Sequence, residues 1–169
     1  DPFRKRKDFK VDIKEFKRDD KTMHGRFVNF WDRPELDEIP EIVEPSMHGM
    51  VEVMRGCGRG CKFCDVTLRS LRYYSPEKVQ KEIEVNIKKT GLDRAWLHSD
   101  DIFVYGMDIR TAKNMEPNRD ALEDLFKAVM STGIKHTNPT HGTLSGAIAD
   151  EKLVPNLSKI INAGPDNLT

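Results

Sequence analysis

Cysteine is scarce in this chain: there are three, all within one stretch of eight residues. Pairing any two would leave a thiol over, so the sequence holds no disulfide framework. No fourth cysteine exists and no histidine follows closely. The usual structural zinc site, four protein ligands from two short clips, therefore finds a single clip of three ligands and lacks its fourth donor. His24, His48, His98, His136 and His141 are scattered along the chain. Long apolar runs are missing too: nothing approaches the roughly 18 residues that a bilayer requires. The opening DPFRKRKDFK has no apolar segment of the signal-peptide kind. Net charge is also absent, with 28 basic residues against 28 acidic ones, so no global field steers the chain toward nucleic acid or membrane. These absences predict a soluble, cytoplasmic protein without a membrane partner, and three thiols held reduced for a metal agree with that compartment.

What the chain does have is the run Cys57-Gly58-Arg59-Gly60-Cys61-Lys62-Phe63-Cys64, with the thiols at C-x3-C-x2-C spacing. Thiolates so close along the backbone read as metal ligands. An iron-sulfur cluster takes thiolates readily and tolerates one iron without a protein ligand, so Cys57, Cys61 and Cys64 are candidate cluster ligands. Two other readings of the same thiols stay open. One is a 4Fe-4S electron-transfer protein without radical chemistry, which needs a fourth ligand. The other is a zinc-stabilised interaction module in which a histidine completes the site.

Upstream of the loop the chain divides by composition. Residues 1 to 21 hold nine Lys or Arg against six Asp or Glu, and Phe9, Val11 and Ile13 alternate with polar neighbours. That pattern is compatible with a strand or with a solvated arm. Phe27 to Trp31 forms a short apolar patch. Residues 32 to 45 carry six acids and prolines at 34, 40 and 45, which exclude a regular helix and predict an extended linker. The expected organisation is an arm and Pro/Glu-rich linker over 1–45 and a second, folded region over 46–169.

From Gly49 the pattern becomes strand, loop and helix. Val51 and Val53 alternate in MVEVM, a strand that runs into Arg55-Gly56 and the cysteine loop. Ser75-Pro76-Glu77 then supplies a helix cap, a proline suited to the first turn and an acid near the positive helix end. Val79, Ile83 and Ile87 give that helix its packing stripe, and Thr90-Gly91 stops it. A second strand at Arg94 to His98 leads into Ser99-Asp100-Asp101. A helix follows over about Arg119 to Thr132, with Leu122, Leu125, Phe126 and Val129 on one face. The third unit predicts a strand at Ile134 to Thr137, a loop over Asn138 to Gly142, and a helix from about Asp150 or Pro155 to Ala163. Three such units argue for an α/β fold with a parallel sheet and right-handed crossovers. Ligands gather at the carboxyl ends of the strands in such folds, where the three polar loops fall.

The loop C-x3-C-x-aromatic-C, with Phe63 at the aromatic position, follows the first strand of a β/α unit and resembles the signature of radical S-adenosylmethionine enzymes. Residues 51 to 64 together with Arg72-Tyr73-Tyr74-Ser75-Pro76-Glu77 are similar to members that carry a cobalamin-binding domain. The resemblance implies a partial TIM-like (β/α)6 barrel, of which this chain would supply three units behind an extended charged N-terminal arm. It implies that Cys57, Cys61 and Cys64 bind a 4Fe-4S cluster whose fourth iron takes S-adenosylmethionine, with one-electron cleavage to methionine and a 5′-deoxyadenosyl radical. An electron donor such as ferredoxin or flavodoxin would be a partner, and cobalamin a further cofactor of a longer protein.

Other residues take implied roles from the same resemblance. Gly58 and Gly60 would let the loop wrap a cluster, Arg59 and Lys62 would offset its charge, and Phe63 would exclude water from it. Ser99, Asp100 and Asp101 stand where the family commonly has a Gly-Gly-Glu stretch that holds the methionyl amino group, which makes them candidate cofactor-binding residues. No residue is assigned a direct catalytic role, and the substrate is not specified. With three units in place of six, the chain is expected to be a fragment, inactive alone and prone to self-association through an open sheet edge.

Overall fold

A computed structural model describes residues 11–18, 23–30, 39–69, 71–107 and 116–161. Two compact units result, Asp1–Ile39 and Pro40–Thr169. In the first, β1 (Val11–Arg18) pairs antiparallel with β2 (Met23–Phe30), Val11 opposite Phe30 and Arg18 opposite Met23. Val11 and Ile13 thus lie in a strand, as does most of the 27–31 patch. Phe9, Trp31 and residues 32–38 of the predicted linker lie outside the described residues.

The second unit is built on a parallel sheet of β3 (Met50–Glu52), β6 (Arg94–His98) and β7 (His136–Pro139), in that order. Met50 lies opposite Trp96, and Ala95 opposite Thr137. Alternation along the strands sends Val51, Ala95, Leu97 and Thr137 to the interior and leaves Met50 and Trp96 half-exposed. Two further strands, β4 (Met54–Arg55) and β5 (Arg72–Tyr73), pair antiparallel outside this sheet.

The helices follow from local chemistry. Helix α1 (Pro76–Thr90) starts on Ser75, whose hydroxyl accepts from the Lys78 N–H, with proline at its first position. It ends on Gly91 at φ 71, a left-handed conformation suited to glycine. Val79 and Ile83 are its buried face. Helix α2 (Arg119–Ser131), capped by Asn118, buries Leu122, Leu125, Phe126 and Val129 and packs on α1. These six side chains are the apolar contribution of α1 and α2 to the buried core. The entry to β3 is tied to α1 where Asn86 Oδ1 accepts from the N–H and hydroxyl of Ser46 at 2.8 and 3.2 Å.

The third unit departs from expectation in two ways. Its strand begins two residues later than the predicted Ile134, because the N–H groups of Lys135 and His136 are both taken by the Asp93 carbonyl. Asn138 and Pro139 therefore belong to the strand, and the loop starts at Thr140. Pro139 is tolerated because β7 is the edge strand among the described residues, where a missing N–H costs no ladder bond. In place of one helix there are two, α3 (Leu144–Ala149) and α4 (Leu153–Ile160). Asp150 divides them by accepting from the Lys152 N–H through its side chain and from the Leu153 N–H through its carbonyl. Pro155 sits within the first turn of α4, where its absent donor would have no partner. Residues 162 and 163 of the predicted helix lie outside the described residues. The α/β class with a parallel sheet is thus present. No helix among the described residues is long and apolar enough to cross a membrane.

Two glycines in left-handed backbone separate conformational from steric cost. A Cβ added at Gly91 would meet open space, whereas one added at Gly106 would run into the Ala121 Cβ of α2. Gly91→Ala should cost about 1 kcal/mol by conformation alone. Gly106→Ala should cost roughly 2–4 kcal/mol, since overpacking adds to the strain. Chemical denaturation of both variants measures the difference. A second expectation concerns Glu82 on α1, whose carboxyl is pushed above its usual value by burial, with Glu52 and Glu41 adding and Lys78 opposing. A raised folded value means the charged form is disfavoured in the fold. The penalty is fully present above that raised value and vanishes as pH falls below the ordinary value of 4.5. Glu82→Gln should raise the melting temperature at neutral pH, and the gain should fade on acidification through that window.

Candidate functional site at the carboxyl end of the sheet

The cysteine loop is closed at its neck. Met54 and Arg55 pair with Tyr73 and Arg72, so the β4–β5 ladder pinches the chain on either side of the cysteines. Val53 donates to the His98 carbonyl at 3.0 Å, which carries the register of β3 and β6 up to that neck. Arg55 forks onto Glu52 through Nε and Nη2, each at 2.7 Å. That hydrogen bond outweighs the opposing effect of burial and holds the guanidinium above its usual value. Beneath the neck, the Tyr105 hydroxyl donates to the Tyr74 carbonyl at 2.6 Å, and the Tyr73 and Tyr105 rings lie 5.3 Å apart.

Within the loop, Gly56, Gly58 and Gly60 have φ of 80, 64 and 72. Alternating left-handed positions turn the backbone tightly, a path that side chains at these points would strain. Cys57 is buried, Cys61 and Cys64 are half-buried, and all three are free thiols. The Cys64 N–H donates to the Cys61 carbonyl at 3.2 Å, which makes the last two ligand candidates one turn. Phe63 points into solvent at 93% exposure. The ring expected to keep water from a cluster is thus the most exposed large apolar group described.

The donor set suits an iron-sulfur cluster: three unpaired thiols, no bridge between them, and a glycine-bent loop at the mouth of a parallel sheet. Among the described residues no three Cys, His, Asp or Glu side chains are gathered closely enough to hold a metal ion as they stand.

The residues after β6 are committed to this loop and to the loop after β7. Ser99 is fully buried; its hydroxyl donates to the His141 carbonyl at 3.1 Å, and its N–H to Thr140 Oγ1 at 3.1 Å. Asp100 accepts from the Gly56 N–H at 2.6 Å, with Arg69 at 3.8 Å. Asp101, whose side chain is 1% exposed, accepts from Arg59 Nε at 2.7 Å and lies 2.6 Å from Arg59 Nη2. It also accepts from the Thr143 N–H and hydroxyl and from the Phe103 N–H. The predicted cofactor-binding residues thus come together with the cysteine loop, but as its supports. Arg59 differs from its expected role: its charge faces Asp101 in place of a cluster or solvent. Its other nitrogens donate to Thr143 Oγ1 at 2.5 Å and Ser145 Oγ at 3.2 Å. Removing one partner of such a buried pair typically costs about 3–5 kcal/mol, because the other charge is left uncompensated.

Thr143 was missed by sequence reasoning. It is the N-cap of α3, accepting from the Gly146 N–H. A threonine three residues before that glycine is the signal that was available, hidden by the short, small-residue sequence LSGAIA.

No family model matches the chain, and no solved structure matches it. Its curated relatives are methylthiotransferases. The probable threonylcarbamoyladenosine tRNA methylthiotransferase of Pyrococcus abyssi is 28% identical over 149 residues, 82% of this chain and 34% of that protein. The tRNA-2-methylthio-N(6)-dimethylallyladenosine synthase of Orientia tsutsugamushi is 26% identical over 153 residues, 83% of this chain and 33% of that one. The ribosomal protein uS12 methylthiotransferase RimO of Thermotoga maritima is 26% identical over 137 residues, 75% and 30% of the two chains. The chain spans about a third of the length of these relatives. Methylthiotransferases of these kinds are radical S-adenosylmethionine proteins that use 4Fe-4S clusters and S-adenosylmethionine. With its C-x3-C-x-aromatic-C loop at the head of a β/α unit, the chain is similar along most of its length to methylthiotransferases of the radical S-adenosylmethionine superfamily.

Proposed function

We propose that this chain is the cluster-bearing part of a radical S-adenosylmethionine enzyme of the methylthiotransferase kind, in which Cys57, Cys61 and Cys64 hold three irons of a 4Fe-4S cluster. The observation that carries the reading is the glycine-bent cysteine loop, fastened to the loops after β6 and β7 at the carboxyl end of a parallel sheet. A bound cluster and S-adenosylmethionine together supply one-electron cleavage of the sulfonium, giving methionine and a 5′-deoxyadenosyl radical, with the electron drawn from a ferredoxin or flavodoxin.

The chain's own residues do the positioning. The three thiolates bind, Gly56, Gly58 and Gly60 let the loop bend around the metal, and Asp100 anchors the loop's first amide. Ser99 fixes the strand end against the loop after β7. Asp101 accepts four hydrogen bonds within the chain and pairs with the Arg59 guanidinium, so Asp100 is the better candidate of the two to face the methionyl amino group. The sheet is read as the opening half of a partial (β/α)6 barrel. The relatives named above methylthiolate tRNA adenosines or ribosomal protein uS12, and the class carried to this chain is radical methylthiolation of a macromolecule.

Anaerobic reconstitution with ferrous iron and sulfide tests this. The expected product is a brown protein with about four irons per chain, whose paramagnetic resonance spectrum changes when S-adenosylmethionine is added. Cys57→Ser, Cys61→Ser and Cys64→Ser should each lose most of the iron. A colourless, zinc-loaded protein, or a cluster indifferent to S-adenosylmethionine, would overturn the reading.

A further inference from the structure

We propose that Arg59, Asp101 and Thr143 form a positioning clamp that sets the path of the cysteine loop before any metal arrives, and that this clamp makes α3 part of the cluster site. The inference rests on the proposed role of the three cysteines and adds residues to it. Arg59 lies between Cys57 and Cys61, so wherever its guanidinium is held, the loop between those thiols is held as well. The guanidinium is held from two sides. Asp101, at the end of β6, takes Nε and Nη2; Thr143, the cap of α3, takes Nη2 through its hydroxyl and also binds the same carboxylate at 3.0 Å.

The three side chains therefore close a triangle of hydrogen bonds, each touching the other two. The carboxylate is buried and the guanidinium 18% exposed, so the pair is screened little by solvent. Arginine is suited to this place because its planar fork meets carboxylate and hydroxyl at once, which a lysine ammonium cannot do. The geometry also gives α3 a function despite its six residues: its capping threonine is shared between its own first turn and the cysteine loop. These are positioning residues, acting on the thiols through the loop.

Amide hydrogen exchange on the full 169-residue chain, metal-free, tests the clamp without reference to cluster chemistry. Thr143→Val, which leaves the Arg59–Asp101 pair in place, should speed exchange of amides 56–64 by about tenfold while the buried turns of α1, residues 79–87, keep their rates; Asp101→Asn, which breaks the pair, should speed the loop amides by more than it speeds those of α1. Thr143→Ser, which retains the hydroxyl, should behave as the wild type. Val129→Ala, a core change in α2, serves as a matched destabilisation and should leave the loop's exchange unaltered relative to the helices. A second arm follows iron loss to a chelator after anaerobic reconstitution. There Thr143→Val and Asp101→Asn should release iron about tenfold faster than wild type, and Val129→Ala should not. Loop exchange that is unchanged, or that rises only in step with α1, overturns the clamp, as does wild-type iron release from both clamp variants. A wild-type chain that takes up no iron defeats the proposed function instead, and the exchange arm still decides the clamp.

Discussion

The second unit depends on one buried charge. Asp101 sits at the end of the central strand with its carboxylate almost wholly out of water, where an ionised group persists only if it is paired and hydrogen-bonded. Four hydrogen bonds reach it, one from the cysteine loop, two from the start of α3 and one from the short helical turn after Asp101 itself, and the Arg59 guanidinium pairs with its charge. Satisfying that carboxylate forces the loops after β3 and β7 to converge over β6. The sheet alone would bring the strand ends near each other; the carboxylate sets which residues of those loops touch.

That constraint places the rest of the site. Gly56 is pulled to Asp100, the β4–β5 ladder closes the loop behind it, and Ser99 ties the other flank through His141. Cys57 is buried near the fixed base of the loop, while Cys61 and Cys64 lie half-buried toward its tip. Such a loop can close on a metal cluster with little change at its base. Iron-sulfur assembly on it would therefore cost the ordering of a few residues and not the rebuilding of a strand end.

Much of this was legible in the sequence where periodic or capping signals were strong. Ser75-Pro76 and Gly91 bound α1 as the residues imply, and the stripe of Leu122, Leu125, Phe126 and Val129 is the buried face of α2. Gly58 and Gly60, expected to let the loop wrap tightly, adopt left-handed backbone, as does Gly56. The third unit was less legible because its boundaries are set by tertiary hydrogen bonds. The Asp93 carbonyl delays β7, and Asp150 splits the helical segment in two. Arg59 was misjudged for the same reason: a guanidinium between two thiols reads as countercharge until its partners, 42 and 84 residues away, are seen.

Kinship with methylthiotransferases and the loop's donor set converge on one claim, that three thiolates leave one iron of a 4Fe-4S cluster open to S-adenosylmethionine. Mössbauer spectroscopy of the protein reconstituted with iron-57 tests it most directly. The account predicts that one iron in about four differs from the rest and shifts alone when S-adenosylmethionine is added. Four irons that respond alike, or none that responds, would contradict it.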